Sequence, residues 1–582
     1  MNKSFRSIWN ASKQAYVAAA ETVSAKGKPS SGAKIAAVVA TLLGGLLGLS
    51  AHAQTAPPPN TLPTGGQVSA GTASISSSVG SSGAHMVIHQ STDRAAINWQ
   101  TFNVGKDAQV QFNQPSAASV TLNRVLSADP SQIFGRISAN GQVVLTNPAG
   151  VYFGQGARVD VGGLVATTHG ISDADFMAGN NRYERNGATG SVVNEGELKA
   201  ALGGYIALLA PEVRNQGAII AQMGTVALAS GEAVDLHFDS NNRLTSIRVE
   251  PSQIQALVDN QHAVQAPGGL IILAAQAMDR LVGGVVKHSG TLQASSLTEK
   301  GGRIVLEGDD ISLQAGSRIE ATGATGGGEV LVGGDWQGSG DMHQATTVTM
   351  EAGATIDASA TDQGDGGKVV LWSDIHNADS LTRAQGRISA QGGAQGGDGG
   401  KIETSGHDLQ VDDIQVSTLA AQGKTGLWLL DPYDITISSG TQTGVDADYN
   451  ATANSAVIKN TTLQTALNTS HVTVYTGITG SQSGNITVLS EISSSSNKDL
   501  ELKAAGNITI NASITRSGSG GLILRSGSGS VSGTATLRLS GGTTLALNQG
   551  TTLSNGIAIG TGGATIQLAP LEVEYLVVAG GG

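Results

Sequence analysis

The chain has 582 residues, 81 of them glycine, with only 5 Trp, 8 Tyr and 7 Phe and no cysteine, so disulfides, thiolate metal sites and a cysteine nucleophile are excluded. Glycine at about 14% is twice the usual share, but it has no every-third-residue period, and 39% hydrophobic residues is too many for a disordered chain. Residues 1–53 carry six basic side chains against Glu21 alone; the rest of the chain stands at 27 basic to 44 acidic, or −17, which makes nucleic acid an unsuitable partner.

Ile35 to Leu49 is an uncharged apolar run behind Lys26, Lys28 and Lys34 and ahead of Ala51-His52-Ala53. That order reads as a removable helical signal peptide, residues 1–53, with Ala51 and Ala53 at the cleavage site. A membrane-spanning helix needs about 20 apolar residues. Residues 1–28 double the usual front end of such a signal. In Met1-Asn2-Lys3, Arg6, Ile8-Trp9-Asn10, Val17-Ala18, Glu21 and Gly27-Lys28 they resemble the extended signal-peptide region of very large Gram-negative surface proteins. The resemblance implies the Sec machinery, signal peptidase and then an outer-membrane step.

After a Pro-rich junction (Pro57, Pro58, Pro59, Pro63) the pattern becomes β-type. One unit, Gly–x–aliphatic–x–Ala, places Ile137, Val159, Leu198, Ile219, Leu292, Ile319, Ile356 and Ile388 in equivalent positions. A second unit begins with paired glycines at 203–204, 268–269, 301–302, 366–367 and 399–400, each followed by a short strand. Asn485-Ile-Thr-Val488 and Asn507-Ile-Thr-Ile510 form a late pair. Short strands recurring about every 20–22 residues predict an all-β fold, a right-handed parallel β-helix in which each coil buries its aliphatics and pairs with its neighbours. Longer steps are expected to hold surface loops, for example at 333–349. At about 4.8 Å per coil, residues 54–430 would make roughly 17 coils rising about 80 Å.

Residues 97–170 are denser in motif: Asn98-Trp99, Phe102-Asn103-Val104, Asn123-Arg124-Val125, Asp129-Pro130-Ser131, Ile133-Phe134-Gly135, Asn147-Pro148-Ala149-Gly150-Val151 and Gly162-Gly163-Leu164. This segment resembles the haemagglutination-activity, or two-partner-secretion, domain at the start of filamentous haemagglutinins and high-molecular-weight adhesins, nearer the adhesin branch. The resemblance implies a β-helical secretion domain over 54–310, presented unfolded to a dedicated outer-membrane transporter, with Asn123, Asn147, Pro148 and Gly150 as transporter-recognition residues. By their chemistry alone, Asn147 to Gly150 form a turn and Asn123 a strand-capping asparagine. Relatives carry Asn where Ala149 stands here.

Residues 311–437 are expected to continue the β-helix, ending in a segment (399–437) similar to passengers of large exoproteins. Residues 438–582 read as Ser/Thr/Gly-rich strand repeats. They begin an apolar strand at Val573 and stop in three glycines, which suggests a truncated end. Sequons at Asn450, Asn460, Asn468, Asn485, Asn507 and Asn511 are what an Asn/Ser/Thr-rich stretch yields by chance.

Catalysis finds little support. Asp309-Asp310, Asp365, Asp398 and Asp412-Asp413 read as solvated corner residues, and neither a metal-binding His spacing nor a GxSxG elbow occurs. No cofactor, metal site or enzyme is expected. The chain reads as a secreted or surface-exposed adhesin of a Gram-negative bacterium, with a host-cell glycan or protein as receptor. The alternatives are a haem-source-binding exoprotein, for which His85, His89 and His169 are the available ligands, a toxin-delivery stalk and a β-helix carbohydrate-active enzyme.

Overall fold

The computed structural model describes the backbone of Phe5–Asn10 and Ala15–Ala20, and residues 56–568 except 82, 279–282, 433, 441–455, 477–482, 528–529, 541, 549–551, 554–556 and 563–564. The chain divides into two units, Met1–Thr55 and Ala56–Gly582. In the first, Phe5–Asn10 and Ala15–Ala20 pair antiparallel, Phe5 opposite Ala20. The helical reading of the signal peptide does not hold for this stretch: Phe5, Ile8, Trp9, Tyr16 and Val17 are aromatic or β-branched and favour extended pairing. The apolar run 35–49, Ala51 and Ala53 lie outside the described residues, as does the chain beyond 568.

The second unit is a parallel β-helix with three faces. The first face runs from Gly83–Gln90 to Gln415–Ser417, the second from Arg94–Trp99 to Thr565–Leu568, and the third from Ser131–Ile133 to Asp408–Gln410. The first repeat unit stacks on the first face in the expected register: Ile137 on Val159, Val159 on Leu198, Leu198 on Ile219, and Leu292 to Ile388 in unbroken succession. The paired glycines open second-face strands, while Ile486 and Ile508 pair on the continuation of the third. Alternate residues point inward and form one continuous apolar core along the stack.

At the corner between the first two faces, Gly162, Gly204, Gly224, Gly269, Gly302, Gly328, Gly367, Gly400 and Gly426 form a column. A β-carbon on any after the first would sit against the carbonyl oxygen of the preceding member, well inside van der Waals contact. Coil spacing there leaves no room for a side chain.

The coil count from sequence was too high. From Arg94–Trp99 to Leu427–Asp431 the second face has strands starting at 94, 120, 142, 158, 197, 225, 270, 303, 329, 368, 401 and 427, twelve in all, the fourth and fifth shared with the first face. That stack rises about 55 Å at the usual strand spacing. The missing residues lie outside the coils. Gln67–Ala70 and Ala73–Gly80 pair antiparallel with the first strands of the second and first faces and close the N-terminal end, covering strand edges that would otherwise be exposed.

Arg182–Glu184, Ala233–Phe238 and Leu244–Glu250 make a separate antiparallel sheet. With the short helix Asp173–Ala178 it covers the outside of the second face, burying Phe176, Tyr183, Leu236 and Val249 against Val144, Tyr205 and Ala227. Ser172 caps the helix through Asp175 N–H, and Gly179 closes it in a left-handed conformation. Residues 333–346 form a loop, as expected, but one whose Trp336 and Met342 pack over Leu331, Val370 and Trp372. In one later coil the helix Asn460–Ala466 occupies the first-face position, between Gln415–Ser417 and Ile492–Ser494. Leu463, Ala466 and Leu467 reach the core from one side of it.

Candidate functional site

Asn147 leaves the second-face strand Gln142–Thr146 and begins the corner to the third face. Gly150 N–H donates to the Asn147 carbonyl at 2.9 Å, and Ala149 N–H to Asn147 Oδ1 at 3.0 Å, the turn its residue types predict. The Asn147 Nδ2 group donates to Asp129 O and Ser131 Oγ, both at 3.0 Å, tying the turn to the coil before it. Gly150 has φ +129°, and a β-carbon there would lie 3.1 Å from Ser191 O in the coil after it. Pro148 is exposed, whereas Asn147 is fully buried.

Asn123 is also fully buried, and it does not cap a strand end. It sits inside the ladder, in register with Leu145 and Ile97. Its Oδ1 accepts Trp99 Nε1–H at 3.0 Å, and its Nδ2 donates to Val144 O at 3.2 Å. Trp99 in turn meets Phe102 edge to face, centroids 5.5 Å apart. A polar group inside an apolar lumen is tolerable because both its donor and its acceptor are engaged. Of the four residues, therefore, the folded domain presents only Pro148 to a partner.

An asparagine ladder escaped the sequence reading. On the third face Asn194 Nδ2 donates to Asn215 Oδ1 at 2.8 Å, and Asn215 Nδ2 to Asn260 Oδ1 at 2.8 Å. Asn260 Nδ2 then meets His288 Nδ1 at 3.1 Å, and His288 Nε2 lies 3.2 Å from Arg318 O. All four side chains are fully buried. The readable signal was Asn–x–Gly at 194–196 and 215–217, recurring one coil apart. Burial holds His288 neutral, its pKa lowered to about 4.

The other candidates scatter. His169 is buried beneath the outer sheet, its Nε2 2.9 Å from Gly231 O, with its pKa lowered by burial. His85 and His89 lie on one first-face strand, the second of them exposed. Asp365 and Asp398 are exposed corner residues, each accepting a backbone N–H of the next coil. Asp309 is not solvated: it is buried, accepting Gly284 N–H at 2.7 Å and facing His343 at 2.9 Å. The buried Glu403 accepts Gln337 N–H at 2.8 Å, and burial raises its pKa to about 8. Among the described residues no group of three or more His, Asp or Glu is placed to hold a metal ion. A cleft of about 1090 Å³ opens between the outer sheet and the second face, with Tyr205 and Val144 at its floor and Arg94 and Arg182 on its walls.

Comparison with known proteins places these features. Residues 1–50 match the extended signal peptide of the type V secretion system, and residues 60–321 match the TPS secretion domain. A heme/hemopexin-binding protein of Haemophilus influenzae (strain ATCC 51907 / DSM 11121 / KW20 / Rd) is 34% identical over 266 residues, 44% of this chain and 28% of that protein. A second heme/hemopexin-binding protein of Haemophilus influenzae is 29% identical over 266 residues, 42% of this chain and 28% of its own length. The chain thus spans about 28% of the curated relatives it matches. The HMW1 secretion domain from Haemophilus influenzae is 29% identical, covering 63% of this chain and 100% of its own, with a TM-score of 0.49. These similar proteins are secretion-domain and binding exoproteins rather than enzymes. With an extended signal peptide for Sec export and a secretion domain whose partner is an outer-membrane transporter, the chain is a two-partner-secretion exoprotein, carried through the periplasm to the surface of a Gram-negative cell.

Proposed function

We propose that the exported chain is an adhesin of the haemagglutinin-like kind, non-enzymatic and without a cofactor, whose β-helix holds later coils away from the cell toward a glycan or protein receptor. The division into a secretion domain (54–310), a passenger continuation (311–437) and distal repeats (438–582) belongs to this reading. The observation that carries it is the asymmetry of the stack: antiparallel strands close the first coil, and each later coil lies on its predecessor. Such a stack can fold in the order in which the chain emerges, and folding outside the cell draws the equilibrium of passage outward.

In this mechanism Asn123, Asn147 and Gly150 act before folding or during it. They are read in the unfolded chain, or they fix the first complete coils that later ones need as a template; Pro148 remains available afterward. Replacing Asn147 and Pro148 together is expected to leave signal cleavage intact and trap the chain in the periplasm. Cell fractionation that finds normal surface levels of the double variant refutes this role.

A second reading, haem-source binding, is supported by the names of the two curated relatives. Of the three histidines this reading draws on, His89 is exposed and His85 half-buried, whereas His169 is enclosed. Binding of haem that survives replacement of both His85 and His89 would remove those residues from the reading.

A further inference from the structure

The outer surface of the first face carries a cationic notch. His85, Gln109, Arg136 and Arg158 are aligned on four successive strands, each in register with the next. Lys106, from the corner before Gln109, lines the same notch with His85, Gln109 and Arg136, and Asn60, Ser81 and Gly83 also line it. The notch holds about 570 Å³. Lys106, Arg136 and Arg158 are all exposed.

The arrangement departs from the charge pattern of the rest of the β-helix. Arg303, Glu329 and Lys368 alternate in sign on adjoining strands and pair at 2.5–2.6 Å. Where two lysines adjoin, Lys368 is held by Glu329 and Asp335, and Lys401 lies over the Trp336 ring. Arg136 and Arg158 are direct cross-strand neighbours, yet among the described residues neither they nor Lys106 forms an ion pair with a carboxylate. The nearby acids are Asp107 in the notch, Glu197 in register with Arg158 on its other side, and Asp160 two residues along. Like charges on neighbouring strands repel. Here they persist in a chain whose mature part is strongly acidic.

We propose that this notch binds a phosphate group, with Arg136 and Lys106 on its oxygens, Arg158 as a second guanidinium beside them, and the side-chain amides of Asn60 and Gln109 as neutral donors. Guanidinium forks match the paired oxygens of a phosphate, and a dianion balances cations that a single carboxylate would leave in excess. The notch is larger than an inorganic phosphate ion, which leaves room for a molecule presenting the group, such as a lipid headgroup. The proposal does not depend on the adhesin reading.

The test uses the full secreted chain at fixed ionic strength, with inorganic phosphate exchanged for chloride in one arm. In the other arm, phosphatidylcholine vesicles with and without phosphatidic acid are used in co-flotation. The expected result is saturable binding in at least one arm, weakened about tenfold or more in R136Q/R158Q, as loss of charge-assisted contacts predicts. R387Q, farther along the same face, should bind as the parent does. Binding in the phosphate arm points to a soluble ligand, and binding only to phosphatidic acid vesicles points to a headgroup. The double variant should unfold at a urea concentration no lower than the parent's, and phosphate should no longer raise that midpoint. Binding in neither arm, or binding unchanged in R136Q/R158Q, overturns the proposal.

Discussion

Replacing Asn215 with leucine tests how much the buried ladder contributes. The substitution keeps the number and branching of the side-chain heavy atoms, so the cost does not come from a cavity. It leaves Asn194 Nδ2 without its acceptor and Asn260 Oδ1 without its donor, in a core where both side chains are 0% exposed. Each orphaned buried group costs about 1–3 kcal/mol, so the loss should be about 2–6 kcal/mol. Gln216 supplies the control. It makes the same kind of bond, Nε2 to Gln261 Oε1 at 2.9 Å, but on the exposed side. Gln216→Leu should change stability by no more than about 0.5 kcal/mol. Urea unfolding followed by circular dichroism, with native-state hydrogen exchange on the strands 191–194, 212–215 and 256–260, measures both. A loss below about 1 kcal/mol for Asn215→Leu, or equal losses for the two variants, would refute the reasoning.

Three further outcomes are expected. Folding holds the His288 pKa at about 4 against an ordinary 6.5, so the unfolded chain takes up the proton first. Stability should therefore fall by up to about 3 kcal/mol as pH drops from 6.5 to 4, and His288→Gln should flatten that slope in pH-dependent urea titrations. Glu403 runs the other way. With its pKa raised to about 8, its contribution should decline as pH rises from 4.5 to 8, by at most about 5 kcal/mol, and Glu403→Gln should be the more stable protein at pH 9. Gly150→Ala should cost about 1–3 kcal/mol, because φ +129° is strained for any side chain and Ser191 O stands 3.1 Å away; a thermal midpoint equal to the parent's would contradict this.

The legible part of this fold was the part that repeats. Ile137, Val159, Leu198 and Ile219 face the same lumen, so each coil imposes the same residue type at the same step, and the sequence carries that period. The paired glycines were visible for a related reason, since each corner meets the carbonyl of the corner before it. What has no period left no comparable trace. The outer sheet comes from residues 170–190 and 231–250, which occur once each, and its capped helix is too short for helical periodicity to stand out. The Asn460–Ala466 helix shows Leu463, Ala466 and Leu467 at helical spacing, but in only seven residues. At the candidate site, the residue types of Asn147 to Gly150 predicted the turn. That Asn147 and Asn123 are sealed inside it depends on Asp129, Ser131, Val144 and Trp99, partners in other strands and corners that local sequence does not specify.

The glycine column bears on how a gene of this kind can change its length. A segment such as 303–328, removed whole, would bring Gly367 against Gly302 and rejoin two corners that already have the same geometry. Removing ten residues from within a coil would instead press a side chain against a carbonyl and shift every later strand out of phase. Duplication and loss should therefore be tolerated in steps of one complete turn with its glycine, while small insertions survive only where the chain has already left the wall, as at 170–190, 231–250 and 333–346. Length variants among natural alleles ought to begin and end at equivalent points of the turn.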